Sequence, residues 1–303
     1  MANRVLEKLP FRTRLALLHT FGRYAPWEEK FDFTPPPLGP GEVVGPPDFV
    51  GVGVQKAGTT WWFGLICDHP GVWARSDLHK ERHYLDRFAA EAFGPEQDHV
   101  YHSWFPRRPG TITGEWTPDY FAFTWVPSLL ARSAPDCRLL LILRDPVERF
   151  VSGMTHELRF GGSWTGSTMS EAVNRGLYCE QLRRWQEVWK PEQFLILQYE
   201  KCVRDPASEL ARTYRFLGLD DSHHPLGSTS PHEYSSPHEH SSPEDLDPMA
   251  AGRRRSKDQR VVLGPDARRR LVEIYSDDVL ALVDLVPDLD ISLWPNFRRL
   301  VRS

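Results

Sequence analysis

Three short apolar runs punctuate an otherwise mixed chain: FVGVGV at 49–54, RLLLILR at 138–144 and QFLILQY at 193–199. Each is rich in Val, Ile, Leu or Phe and lacks polar alternation, the pattern of strands covered on both faces in a parallel sheet. Helical spacing alternates with them. Residues 58–68 predict a helix that stops at His-Pro-Gly. In 169–189, Val173, Leu177, Leu182, Trp185 and Val188 recur at helical intervals. Behind Pro265, residues 265–286 place Leu271, Ile274, Val279, Leu282 and Val283 on one helical stripe. Strands alternating with helices predict an α/β fold of three layers, a mainly parallel sheet flanked by helices. Ligands of such sheets bind beyond the carboxyl ends of the strands.

Two segments stand apart from this alternation. Residues 34–47, TPPPLGPGEVVGPP, read as an extended approach to the core, so 1–47 is taken as a lead-in and 48–303 as a single domain. From 220 to 258 the chain is poor in apolar residues and rich in Ser, Pro, His and Glu, which predicts a flexible loop or lid. Its histidines at 223, 224, 232, 238 and 240 are irregularly spaced, and a polar loop explains them better than a metal centre.

Composition narrows the function classes. A net charge of -4 argues against a nucleic-acid binder that relies on overall basicity, so any anion site must come from local clustering. Cys67, Cys137, Cys179 and Cys202 form no CxxC pair and fit a reducing, cytoplasmic setting. No apolar run is long enough to cross a bilayer. Residues 11–18 could form a basic amphipathic helix, lying on a membrane surface or packed on its own domain.

The candidate chemistry begins where the first strand ends. GVQKAGTT at 53–60 follows the glycine, four residues, glycine spacing of a phosphate loop. An ATP or GTP site carries lysine directly after the second glycine; here Thr59 stands there, and the lysine, Lys56, precedes Gly58. Lys56, Ala57, Gly58, Thr59 and Thr60 still offer backbone N–H groups, hydroxyls and a helix N-terminus to an anion. A second anion grip lies at RDPVERFVS, 144–152. Arg144 ends a strand and Ser152 sits about two turns into the next helix, so both can reach one phosphate. Read alone, Arg-Asp-Pro is as readily a structural ion-pair corner.

Taken together, the lysine placement with GTTWW, RDPVERFVSGMTHEL, Lys80-Glu81-x-His83 and GEWTPDYF at 114–121 resemble the sulfotransferase family, in family order over roughly 48–290. The Lys-Glu-x-His segment is similar to that of Golgi-type carbohydrate sulfotransferases, including those acting on heparan sulfate. The resemblance implies a P-loop-like fold and 3′-phosphoadenosine 5′-phosphosulfate as cofactor, released as adenosine 3′,5′-bisphosphate. Lys56 and its loop would hold the 5′-phosphosulfate, and Arg144 with Ser152 the 3′-phosphate. Glu81 would be the general base, with His83 the second candidate and His156 a third. A carboxylate beside that anionic cofactor is expected to have a raised pKa. Trp61 would stack on adenine and Tyr199 border it, though both also suit a core. Lys257 and Arg260, within the basic run 253–260, would close over the phosphates. Heparan-type members carry lysine where this chain has Trp116, a departure that points to an aromatic or apolar-flanked acceptor.

The reading is therefore sulfuryl transfer to a hydroxyl, less readily an amine, of a metabolite, glycolipid or saccharide, with no metal required. A small-molecule or nucleotide kinase is the first alternative; it would need lysine at position 59 and a carboxylate for Mg²⁺. A non-catalytic nucleotide-binding module is the second.

Overall fold

The computed structural model describes residues 34–159, 165–225, 229–231 and 260–300, together with Thr13. In chain order its strands are β1 (Val43–Val44), β2 (Phe49–Gly53), β3 (Pro106–Arg107), β4 (Gly114–Trp116), β5 (Arg138–Leu143) and β6 (Phe194–Gln198). Four of them form a wholly parallel sheet in the order β4-β2-β5-β6, and β1 pairs antiparallel with β3. The fold class expected from the sequence is the one observed. All three predicted strands are present within a residue of their expected ends. Strand β4 escaped the apolar-run criterion because it is three residues long and contains Glu115.

The helices are α1 (Thr59–Cys67), α2 (Pro95–Ser103), α3 (Val126–Ser133), α4 (Pro146–Arg159), α5 (Gly166–Asn174), α6 (Tyr178–Gln186), α7 (Tyr199–Arg204), α8 (Pro206–Leu217) and α9 (Pro265–Leu285). The helix expected over 169–189 is thus two helices. Gly176 separates them, and a Cβ there would lie 2.7 Å from the Tyr275 ring, so the chain bends where α9 presses against it. On α9 the buried stripe is Leu271, Tyr275, Val279 and Leu282; Ile274, expected inside, is exposed.

The sheet core is β2 and β5, buried throughout apart from Arg138. Gly51 faces the Trp116 ring so closely that a Cβ would sit 2.0 Å from it, and the indole Nε1 donates to Gly53 O at 3.2 Å. Trp116 is fully buried, which removes it from any acceptor surface. The expectation drawn from its replacing lysine is therefore overturned: the indole takes the space that glycine leaves on β2.

The same parallel register brings the carboxyl ends of β2, β5 and β6 to one edge. From that edge start α1, α4 and α7, so the loop at 54–58, Arg144 and Tyr199 become neighbours. Residues 34–47 do not stand off from the sheet. Glu42 accepts from Trp73 Nε1 at 2.8 Å and from Arg75 Nη1 at 2.9 Å, and Val43 and Val44 pair with β3.

Candidate active site

The loop after β2 is shaped by its main chain. Gly58 caps α1 in the left-handed region at φ 83°, and a Cβ there would lie 2.9 Å from the Tyr199 ring. No side chain caps that helix end, so its first N–H groups face outward unpaired by a capping oxygen, as an anion requires. Lys56 is itself left-handed at φ 69°. Such a conformation costs a non-glycine residue about 1–3 kcal/mol and persists where surroundings enforce it. Here Arg144 enforces it, donating from Nη1 to Lys56 O at 2.9 Å.

Arg144 in turn is fixed from two sides. Its Cζ lies 4.8 Å over the Tyr199 ring, and its carbonyl accepts from Tyr178 Oη at 3.0 Å. Asp145 starts α4 as expected, its Oδ1 accepting from Val147 N at 2.9 Å. Ser152 lies half-buried on α4. The Lys56 side chain passes along the same stretch, with Cγ 3.9 Å from a Cβ at Gly153. Lys56, Arg144 and the Ser152–Gly153 turn of α4 thus converge on one region.

Trp61 is buried, in edge contact with Tyr199 at 6.3 Å, and its Nε1 donates to Thr229 O at 3.1 Å. Thr60 is half-buried and Ala57 fully buried. Arg260 is exposed, and the next amide, Val261 N, donates to Thr155 Oγ1 on α4 at 3.0 Å. Lys257 and the rest of the basic run to 259 lie outside the described residues, as do most of 11–18 and 232–258. The described start of the expected lid is docked: His223 packs on His69 with ring centres 4.8 Å apart and reaches Asp68 at 3.2 Å. His156 is half-buried on α4, a different element from the one carrying Glu81.

The acid joins this region through Lys80. Its ammonium lies 2.7 Å from Glu81 Oε1 and donates to Thr59 Oγ1 at 3.1 Å, linking the carboxylate to the first turn of α1. Glu81 Oε2 lies 3.1 Å from His83 Nε2, and His83 Nδ1 lies 2.5 Å from Asp86 Oδ2. Burial pushes Glu81 upward, but Lys80 and His83 outweigh it and bring the pKa down to about 2. The expected raised value is thus corrected: two cations flank the carboxylate. Burial alone would lower the His83 pKa, yet the carboxylates on both its nitrogens hold it well above the usual imidazole range.

Sequence reasoning named neither Lys80, Asp86 nor Glu115 as site residues. Glu115 is fully buried on β4 and accepts from Tyr101 Oη at 2.7 Å, Thr117 Oγ1 at 2.6 Å and Arg82 N at 3.1 Å. Thr117 Oγ1 accepts from Arg82 N as well, at 3.0 Å, so the main chain between Glu81 and His83 is tied to β4. The signals were present in Lys80-Glu81 and in GEWTPDY, but chain separation hides that 81–83 and 115–117 meet. His83, Asp86 and Asp119 offer atoms within 4.8 Å of one another, a spacing a metal could use. Both His83 nitrogens and Asp119 are already engaged, the latter by Arg175, so the cluster is an ion-pair network.

The family pattern described as "Sulfotransferase domain" matches residues 46–236. The chain belongs to the sulfotransferase-domain family. Human heparan sulfate glucosamine 3-O-sulfotransferase 3B1 is 30% identical over 188 residues, 57% of this chain and 46% of that protein. Human heparan sulfate glucosamine 3-O-sulfotransferase 6 is 32% identical over 182 residues, 55% and 51% respectively. The chain spans about half the length of the curated relatives it matches. A solved sulfotransferase from Alicyclobacillus acidocaldarius superposes with a TM-score of 0.58 at 19% identity, covering 82% of this chain and 98% of that one. That likeness speaks for the fold. The matched stretch includes the loop at 53–60, the acid at 81 and the Arg144–Ser152 segment.

Proposed function

We propose that the protein transfers a sulfuryl group from 3′-phosphoadenosine 5′-phosphosulfate to a hydroxyl, most plainly of a saccharide acceptor. The observation that carries this reading is the convergence of two anion grips on one region, Lys56 with the α1 N-terminus and Arg144 with Ser152. A nucleotide phosphorylated at two separate positions needs both. The uncapped helix end and the basic side chains fit such a group. The saccharide acceptor is supported by the names of the 3-O-sulfotransferase relatives.

When bound, the cofactor would supply an activated sulfate for transfer to the acceptor oxygen, with its phosphate as the leaving group. Lys56 and the first N–H groups of α1 would hold that phosphate and offset its negative charge. Arg144 and Ser152 hold the ribose phosphate and set the register of the nucleotide. Glu81 accepts the acceptor's proton, which strengthens a neutral hydroxyl as nucleophile. Lys80 and His83 orient Glu81 through both of its oxygens, and Asp86 fixes the His83 ring. A carboxylate pulled down to about 2 is a weak base, so proton transfer to it requires an acceptor hydroxyl to displace Lys80 or His83 from one of its oxygens.

Calorimetric comparison of adenosine 3′,5′-bisphosphate with ATP tests the nucleotide assignment. Tighter ATP binding would sink it and favour a kinase. Labelled cofactor offered with a panel of saccharides, glycolipids and small phenols then tests the acceptor class, and transfer confined to non-saccharides would remove that part.

A further inference from the structure

The hydrogen bonds that fix Arg144 reach well beyond the loop it serves. Both polar groups of the peptide bond that follows it are held: its carbonyl accepts from Tyr178 Oη at 3.0 Å, and Asp145 N donates to Glu200 Oε1 at 3.0 Å. Glu200 directly follows Tyr199, the ring under the Arg144 guanidinium. These two acids are in turn bound by one short stretch far along the chain. Asn296 donates twice to Asp145 Oδ2, from its main-chain N at 3.0 Å and from Nδ2 at 2.9 Å. Trp294, fully buried and in edge contact with the Tyr178 and Phe297 rings, donates from Nε1 to Glu200 Oε2 at 2.9 Å. Asn296 is itself aimed: Arg268 Nη1 donates to its Oδ1 at 2.8 Å, and its Nδ2 also reaches Glu148 Oε1 at 3.1 Å.

We propose that Asn296 and Trp294 are positioning residues of the nucleotide site: through Asp145 and Glu200 they set where Arg144 stands, and with it the grip on the 3′-phosphate. The identity of that phosphate rests on the sulfuryl-transfer reading above. Asp145 joins the parts. Its Oδ1 accepts from Val147 N at 2.9 Å and Glu148 N at 3.3 Å, so one carboxylate ties the start of the helix carrying Ser152 to the 294–296 stretch. Glu200 on α7 and Glu148 on α4 surround it with negative charge, set against Arg268 on α9, which pairs with Glu148, and the Tyr178 hydroxyl on α6. Neutral donors at 294 and 296 hold both acids without adding charge beside an anion site. Burial pushes the Asp145 carboxyl upward, and the two Asn296 donors are the foremost groups holding it down. Among the described residues, the path from Asn296 reaches the Lys56 carbonyl by way of Arg144, so a slackened corner acts on the 3′ grip before the 5′ loop.

Calorimetry on the full chain, with adenosine 3′,5′-bisphosphate and with adenosine 5′-monophosphate, tests it. The wild type should prefer the bisphosphate. Asn296→Ala is expected to weaken the bisphosphate about tenfold while the monophosphate stays within about twofold. Lowering the pH from about 8 to about 6.5 should erode the N296A preference further than the wild-type one, because nothing then opposes protonation of Asp145 as strongly. A merely structural role would weaken both nucleotides alike at every pH; that result, or a preference kept in full, overturns the inference alone. A wild type that binds the two nucleotides equally overturns the nucleotide assignment and the inference with it. Should N296A fail to fold, Trp294→Phe keeps a ring against Tyr178 and Phe297 and removes the donor to Glu200. The same selective loss is expected of it, and an unchanged preference overturns the inference.

Discussion

Arg144 donates from Nη1 to the main-chain carbonyl of Lys56 at 2.9 Å, so the two anion grips are joined by a direct hydrogen bond. Losing the arginine removes the proposed ligand of the 3′-phosphate and also frees the left-handed backbone at Lys56 from its hydrogen bond. Arg144→Ala is expected to weaken adenosine 3′,5′-bisphosphate binding by about 100-fold, measured by calorimetry. Arg144→Lys should recover little, because an ammonium cannot bond the carbonyl and a phosphate in the same fixed fork. An unchanged affinity in R144A would separate the two grips.

Glu81 is held by Lys80 on one oxygen and His83 on the other. Glu81→Gln is expected to lower kcat by about 10²–10⁴-fold while the nucleotide Kd stays within about twofold. Turnover at the wild-type rate would remove Glu81 from the reaction.

The pH dependence carries a definite sign. Glu81 is depressed to about 2, so its contribution to stability is present above pH 4.5 and is lost as pH falls from there toward 2. His83 is raised, so its contribution is complete below pH 6.5 and is lost as pH climbs through its folded value. Lys80→Met should raise the Glu81 pKa and move the acid limb of the kcat/KM profile to higher pH. Asp86→Asn should lower the His83 titration point, followed by NMR of the imidazole protons.

Glu115 accepts hydrogen bonds from two tyrosines, a threonine and the Arg82 amide with no access to solvent. Glu115→Ala strands all of those donors and is expected to cost about 3–5 kcal/mol, read by urea denaturation. Loss under 1 kcal/mol would mean that water takes over the role of the carboxylate.

Gly58→Ala tests the loop itself. The residue is at φ 83° and an added methyl would meet Tyr199 at 2.9 Å. Destabilisation of at least about 1–2 kcal/mol is expected from the conformation alone, together with weaker nucleotide binding as Tyr199 is displaced. Equal affinity in G58A would show that the Tyr199 ring position does not matter to the ligand.

How much of this was legible in the chain depends on whether the signal is local. The strands at 49–53, 138–143 and 194–198 were readable because burial on both faces leaves uninterrupted apolar runs. Arg144 and Lys56 were readable because Arg144 directly follows such a run and Lys56 sits two residues beyond one. Strand β4 was not, since its pairing with β2 rests on Gly51 making room for Trp116, a contact across many residues. The direction of the Glu81 shift was also hidden. It depends on where the Lys80 ammonium and the His83 ring point, which spacing cannot state.

Among the described residues, the non-glycine positions held in the left-handed region are Lys56 and His83, both assigned to the chemistry. The aim of these side chains is therefore written into the peptide path, and the rotamer is only the last part of it. Anyone transplanting this constellation to another scaffold would have to copy the two backbone kinks and their tethers; a graft of side chains onto ordinary helix or strand would point the lysine and the imidazole elsewhere.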